Sequence, residues 1–367
     1  MAEEILKTHD LSFCSRPLLL AFRKISYDGF DIALAPYGEY WREMRKTCML
    51  HLLSAVREVS RMIQKISQHI SLSETINLTK TLTFFTRTTI CRVAFGKRYE
   101  PGSGESKEFN QIIREFQMAV DKLVGKIDHL ENICKKWDLF YQQLVDEHLL
   151  PDRPKSMDGD VVDIMLQLRE ETSMSSDLPL DHIKAALMDV YFASTDTIAT
   201  TMIWAMTALI KNPSAMKKAQ AELRASFGKK QMVEEEDLAV AHMPYLNAVI
   251  KEAMRLYSTA WAISKDPEQW KNPNEFLPER FLEGGKCLSM DLKGQDYRFI
   301  PFGAGRRICP GMTMAMATVE TVPGNLLYLF DWELPAGVRK EDVDNDILPS
   351  MTLHEKNPLY LLAKEFI

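Results

Sequence analysis

The 367 residues predict a mainly α fold with a small, incomplete β part, on three observations. Apolar residues recur at intervals of three and four over several long stretches, the period of a helix with one buried stripe. Runs that alternate like strands are few and short. Between Ser258 and Arg298, Pro267, Pro273, Pro278, Gly284, Gly285 and Gly294 break up regular structure, so that stretch reads as loop and meander.

Taken in order, the first strong helix starts at Ile127, where Leu130, Ile133, Cys134, Trp137, Phe140, Tyr141, Leu144 and Val145 form one stripe, and the polar turn 151–160 ends it. A second runs from Asp181, an N-cap after Pro179, through Leu187, Val190, Tyr191, Ile198 and Trp204 to Asn212-Pro213, apolar nearly all round. Ser214 caps a third through Leu223. Leu246, Val249, Ile250, Ala253 and Leu256 mark a fourth that begins near Pro244, and a final helix is expected from Pro310. The strand candidates are 332–334 and 359–362.

At roughly 150 residues per domain the length suits two units or one large one, and residues 1–367 are read as one domain. With 45 basic and 51 acidic residues the net charge is −6, which excludes the global cationic field that nucleic-acid binding needs. The six cysteines, at 14, 48, 91, 134, 287 and 309, are too scattered for a zinc knuckle or a disulfide framework. The charged start (Glu3, Glu4, Lys7, Asp10) and the short apolar patch 18–22 carry no secretion signal. The charge-free stretch 197–210 falls short of the ~20 residues that span a bilayer.

Chemistry concentrates in Phe299-Ile-Pro-Phe-Gly-Ala-Gly-Arg-Arg-Ile-Cys-Pro-Gly311. Gly303 and Gly305 permit a tight loop, and Pro310 suits the first turn of a helix. Cys309 is thereby held at a helix N-terminus. Orphan amides, the helix dipole, Arg306 and Arg307 all favour a thiolate there, and a thiolate binds a soft metal centre. Gly311, without a side chain, lets a flat macrocycle approach.

The pattern Phe302-x-x-Gly305-x-Arg307-x-Cys309-x-Gly311 resembles the haem-binding loop of the cytochrome P450 monooxygenases. That resemblance implies haem b with Cys309 as axial iron ligand and Arg307 paired to a propionate. Glu252 and Arg255, three apart on one helix face, together with Arg280 of Pro278-Glu-Arg-Phe281, resemble the family's buried ionic cluster behind the haem, a structural role. Ala193-Ser-Thr-Asp-Thr197 resembles the oxygen-activation segment, which implies that Asp196 and Thr197 relay protons and hydrogen-bond the oxygen; Ser194 stands where the family commonly has glycine. Trp41-Arg-Glu-Met-Arg45 resembles the Trp-x-x-x-Arg helix whose indole and guanidinium reach a propionate. Arg42, Arg45, Lys46 and Arg57 form a basic cluster, read either as a docking patch for an acidic electron donor or as a solvated helix face.

The resemblance covers nearly the whole chain and looks closest to plant microsomal members. It implies an O2-dependent hydroxylase of small apolar metabolites, supplied with NADPH electrons by NADPH-cytochrome P450 reductase at the cytosolic face of the endoplasmic reticulum. The family's membrane anchor and first strands do not precede Met1, so membrane contact is expected to be peripheral at most. Strands that the family places after its Glu-x-x-Arg helix are missing between Ala260 and Trp261, and shorter omissions are expected at 53–58 and 124–126. These gaps support a rival reading, a haem-binding or misfolded remnant without turnover.

Overall fold

The computed structural model describes residues 1–16, 20–50, 56–99, 104–121, 127–153, 159–170, 178–257, 261–343, 346–348 and 352–366. Its helices are α1 (Asp10–Phe13), α2 (Leu20–Ile25), α3 (Glu39–Leu50), α4 (Val56–Ser71), α5 (Leu78–Phe95), α6 (Gly104–Asp121), α7 (Ile127–His148), α8 (Val161–Glu170), α9 (Leu180–Lys211), α10 (Pro213–Phe227), α11 (Glu235–Ala241), α12 (Pro244–Tyr257), α13 (Trp261–Ser264) and α14 (Met312–Leu329). The strands are β1 (Ile76–Asn77), β2 (Phe330–Glu333), β3 (Ile347–Leu348), β4 (His354–Glu355) and β5 (Tyr360–Glu365). The mainly α expectation therefore holds. Among the described residues, no helix is long and apolar enough to cross a membrane. The patch 18–22, the junction at Ala260 and the seams at 53–58 and 124–126 lie wholly or partly outside the described residues.

The chain forms two compact units. One comprises Met1–Thr8, Ser54–Thr86 and Thr195–Ile367, the other His9–Leu53 and Arg87–Ser194. In the first, the apolar faces of α4, α10, α12 and α14 enclose a core with Ile66, Met206, Leu246, Ile250, Leu326 and Tyr328 at its centre. β5 is the middle strand of an antiparallel sheet in the order β1-β5-β2, with Ile76 opposite Leu361 and Trp332 opposite Ala363. β3 and β4 form a separate antiparallel pair. In the second unit, Phe95, Phe109, Trp137, Tyr141 and Tyr191 pack edge-to-face and stacked, as their ring quadrupoles favour.

Helix limits differ from the expected ones for local reasons. Asn212, not Ser214, precedes the third predicted helix: its amide N–H closes α9 on Ala208, and Pro213, with no N–H to lose, opens α10. α14 starts at Met312 because Pro310 belongs to the turn that carries the cysteine. α9 spans 32 residues, roughly 48 Å of rod at 1.5 Å per residue.

Candidate functional site

Residues 299–311 lead from the meander into α14. Ile300 accepts from the Gly303 N–H (3.0 Å), Gly305 from Ile308 (3.1 Å) and Phe302 from Cys309 (2.9 Å), so the loop doubles back and presents Cys309 three residues before Met312. Phe302, half-buried, packs against the core. Gly305 has φ +67°, and a Cβ there would stand 2.1 Å from the Leu6 carbonyl oxygen, so only glycine fits beneath the amino-terminal turn. At Gly311 a Cβ would lie 3.9 Å from Cys309 Sγ; its absence keeps that flank of the sulfur uncrowded.

Cys309 is half-buried, ahead of the open amides of an 18-residue helix, with Arg306 and Arg307 in the adjoining 3-10 turn. A soft sulfur at a positive helix end, with two arginines two and three positions before it in the chain, fits a flat iron macrocycle that carries carboxylates.

α12 shows how a buried charge cluster is satisfied. Glu252 and Arg255 are fully buried. Arg255 donates Nε to Glu252 Oε2 (2.7 Å) and Nη2 to Oε1 (2.8 Å), a bidentate pair. Its other donors reach the carbonyls of Ser264 (2.8 Å), Pro273 (2.7 Å) and Glu275 (3.1 Å), so all five guanidinium hydrogens are used. Arg280 Nε donates to Glu252 Oε1 at 3.2 Å, and the Leu277 amide donates to the same oxygen at 2.9 Å. The structure thus brings Glu252, Arg255 and Arg280 together, and the cluster ties α12 to the meander.

Asp196 and Thr197 lie on α9. Asp196 Oδ2 accepts from Thr352 Oγ1 (2.6 Å) and lies 2.7 Å from His354 Nε2. Thr197 is exposed, and its carbonyl accepts from Thr201 Oγ1 at 2.9 Å. Thr352 and His354 were not among the residues expected from sequence. They stand about 156 positions from Asp196, and no local spacing signals such a pairing.

In the second unit, Trp41 is buried on α3 and its indole N–H donates to the Ile32 carbonyl at 2.9 Å; a carboxylate acceptor would have to share that hydrogen. The Arg45 guanidinium sits over the Trp41 ring at 5.3 Å. Arg42 and Lys46 are exposed, while the Arg57 side chain lies outside the described residues.

The same unit holds a buried carboxylate, Asp160, and a half-buried one, Asp189, in contrasting settings. Among the described residues, His148, Asp160 and Asp163 offer ligand atoms within 4.8 Å of one another, but Arg153 donates to Asp160 (2.7 Å) and Asp163 (2.6 Å) and supplies the positive charge itself. Burial acts to raise the Asp160 carboxyl, yet hydrogen bonds from His148, the Asp163 amide and Arg153 hold it below the usual carboxylate range. Among the described residues, Asp189 accepts from the backbone N–H groups of Ile32 (2.5 Å) and Ala33 (3.0 Å). Burial, with the Asp31 charge nearby, pushes it up to about 8.

Known proteins are similar to this chain along nearly its whole length. A family model described as Cytochrome P450 matches residues 1–260 and 258–362. The 5-OH-xanthotoxin synthase of Pastinaca sativa is 40% identical over 427 aligned positions, which take in all of this chain and 83% of that protein. Cytochrome P450 71A1 of Persea americana is 40% identical over 425 positions, covering 100% of this chain and 84% of its own. A zebra fish cytochrome P450 solved with progesterone shares the fold, with a TM-score of 0.83 at 22% identity over 99% of this chain and 91% of that one. The two matched pieces meet at 258–260, the expected gap, and the first relative's alignment is about 60 positions longer than this chain. Sequence and backbone course point the same way as the sulfur at the head of α14, and the chain belongs to the cytochrome P450 family.

Proposed function

We propose that the chain is a haem-thiolate monooxygenase that hydroxylates small, largely apolar plant metabolites, using O2 and NADPH electrons delivered by NADPH-cytochrome P450 reductase. Membership of the family makes it an oxidoreductase of the haem-iron type. The observation that carries the finer reading is the loop that holds Cys309 ahead of α14 with no side chain at Gly311.

Cys309 would bind the iron of haem b, and Arg307, with Trp41 and Arg45, would hold propionates. When bound, the group supplies oxygen activation at a thiolate-ligated iron. The chain's residues divide the rest. Phe302 and Gly305 shape the loop so that the thiolate is fixed before binding, and fixed ligands need no reorganisation. Asp196 would pass a proton at Oδ2, and Thr197, one residue on, would hydrogen-bond oxygen. Glu252, Arg255 and Arg280 keep α12 and the meander in place. Location at the cytosolic face of the endoplasmic reticulum is part of the same proposal.

Substrate class follows from relatives whose names specify 5-OH-xanthotoxin and 6,7,8-trihydroxycoumarin as products. Purified, haem-supplied protein is expected to show the reduced-CO Soret band of thiolate ligation, and Cys309→Ala to lose it. Absence of that band from well-folded protein would refute the assignment. With a matched reductase, NADPH-dependent hydroxylation within a panel of coumarins is expected.

One observation favours a second reading. The family match breaks at 258–260, where the resemblance implies the loss of strands that form part of the pocket wall. On that reading the chain binds haem without turnover, and the Soret band appears while the coumarin panel stays unconsumed.

A further inference from the structure

Residues 352–355 lie along one stripe of α9. Positions 196, 200, 204 and 207 recur at four, four and three, so they share a helix face. Asp196 meets Thr352 and His354, Thr200 meets His354, the Trp204 indole donates to the Leu353 carbonyl (2.5 Å), and Thr207 donates to Glu355. The docking includes a row of directional hydrogen bonds.

At the head of the row, three polar atoms close a triangle. His354 Nε2 is 2.7 Å from Asp196 Oδ2, and Thr352 Oγ1 is 2.6 Å from each of them. Thr200 Oγ1 lies 3.3 Å from His354 Nδ1. A hydroxyl both donates and accepts. With His354 neutral and Nε2 protonated, the Thr200 hydroxyl donates to Nδ1; with His354 cationic, it accepts from Nδ1–H. Both charge states therefore fit the same heavy-atom positions. The two side chains keep 30% and 23% exposure, enough for proton exchange with bulk water.

We infer that His354 is a positioning residue that holds Asp196 in place and replenishes its proton from solvent. This rests on the reading of Asp196 given above and adds a regulatory partner to it. The step is a pure proton transfer: the Nε2–H bond breaks, an O–H bond forms on Asp196 Oδ2, imidazolium becomes the Nδ1–H imidazole, from whose Nδ1–H the Thr200 hydroxyl still accepts, and Nε2 then takes a proton from water. No electron moves. Among the described residues, α9 presents Asp196 to His354, β3 places the uncharged Leu348 opposite it, Glu355 on its own strand accepts from Thr207, and the following Lys356 pairs with Asp346 at 3.0 Å.

The test uses the full chain labelled with 15N-histidine, as the wild type, His354→Gln, His354→Phe and Asp196→Asn, each checked for folding by thermal melting. The resonance lost in His354→Gln identifies the imidazole. Its proton affinity is expected to fall about threefold to tenfold in Asp196→Asn, because an opposite charge in hydrogen-bond contact has gone. An unchanged titration midpoint overturns the inference, and this readout needs neither haem nor turnover. In haem-loaded protein, the reduced-CO band is expected to survive all three substitutions; its absence from the wild type would count against the haem assignment instead. Where turnover is measurable, His354→Phe and His354→Gln are expected to shift the pH profile of product formation alike and to divert several-fold more NADPH electrons to peroxide. A wild-type profile in both variants also overturns the inference.

Discussion

The charge clusters of α12 and α9 oppose a carboxylate to a nitrogen donor in the same way, but in opposite surroundings. Glu252 and Arg255 are sealed from solvent, and every guanidinium hydrogen is committed. Asp196 and His354 stay about a quarter exposed, and their partners are hydroxyls that can reverse direction. A saturated buried pair resists any change of charge, because the partner left behind would be an uncompensated ion. A partly exposed pair flanked by hydroxyls tolerates such a change. The first arrangement suits a brace, the second a group that exchanges protons.

Five measurements break or sharpen this contrast. Arg255→Met should have the largest effect, a loss of about 3–5 kcal/mol in unfolding free energy by denaturant titration, since it strands a buried Glu252 carboxylate. Less than about 1 kcal/mol would mean that water enters the cluster, and the contrast with α9 would fail.

Asp189 extends the comparison to a half-buried carboxylate held by backbone amides. Its value in the folded chain is raised, so its contribution to stability is complete below the ordinary 3.8 and is lost as pH rises through about 8. Asp189→Asn should therefore gain on the wild type in melting temperature with increasing pH across that window. Asp160 should do the reverse. Its folded value is depressed, so its contribution is present above the ordinary carboxylate value and is lost as pH falls through the folded one, and Asp160→Asn should flatten the acid limb of stability.

Arg280→Met should cost about 1–2 kcal/mol, because Arg280 gives Glu252 one bond of 3.2 Å while the Leu277 amide shares the same oxygen. Smallest of all, Asp196→Asn should change global stability by less than about 1 kcal/mol, as expected for a partly solvated pair. A large loss there would make the α9 cluster a second brace.

The residues differ in how far they could be read from sequence, and the reason is spacing. Glu252 and Arg255 are one helical turn apart, and Cys309 stands in a run of glycines and arginines whose backbone demands are local. The long apolar helix and the fourth helix declare themselves by period. His354 has no such signal, since its partner is brought to it by the chain's course over more than 150 residues, and neither neighbour marks it. Trp41 shows a related limit: an indole donor is visible in sequence, but the choice of the Ile32 carbonyl as its acceptor depends on how the 30–36 loop folds back. The Ser214 cap expectation failed because Asn212 and Pro213 together end one helix and begin the next.

The central position of β5 also sets an order of events during synthesis. β1 cannot be paired, nor can the Leu359 amide reach Thr79 Oγ1, until a segment 280 residues downstream has left the ribosome. At about 5–20 residues per second, that leaves the edge formed by 76–79 waiting for roughly a quarter of a minute to a minute. Over that interval the nascent chain exposes both an unfilled sheet register and the apolar wall behind it, so the yield of native protein should depend on holdase chaperones and translation speed more than on the final stability of the fold.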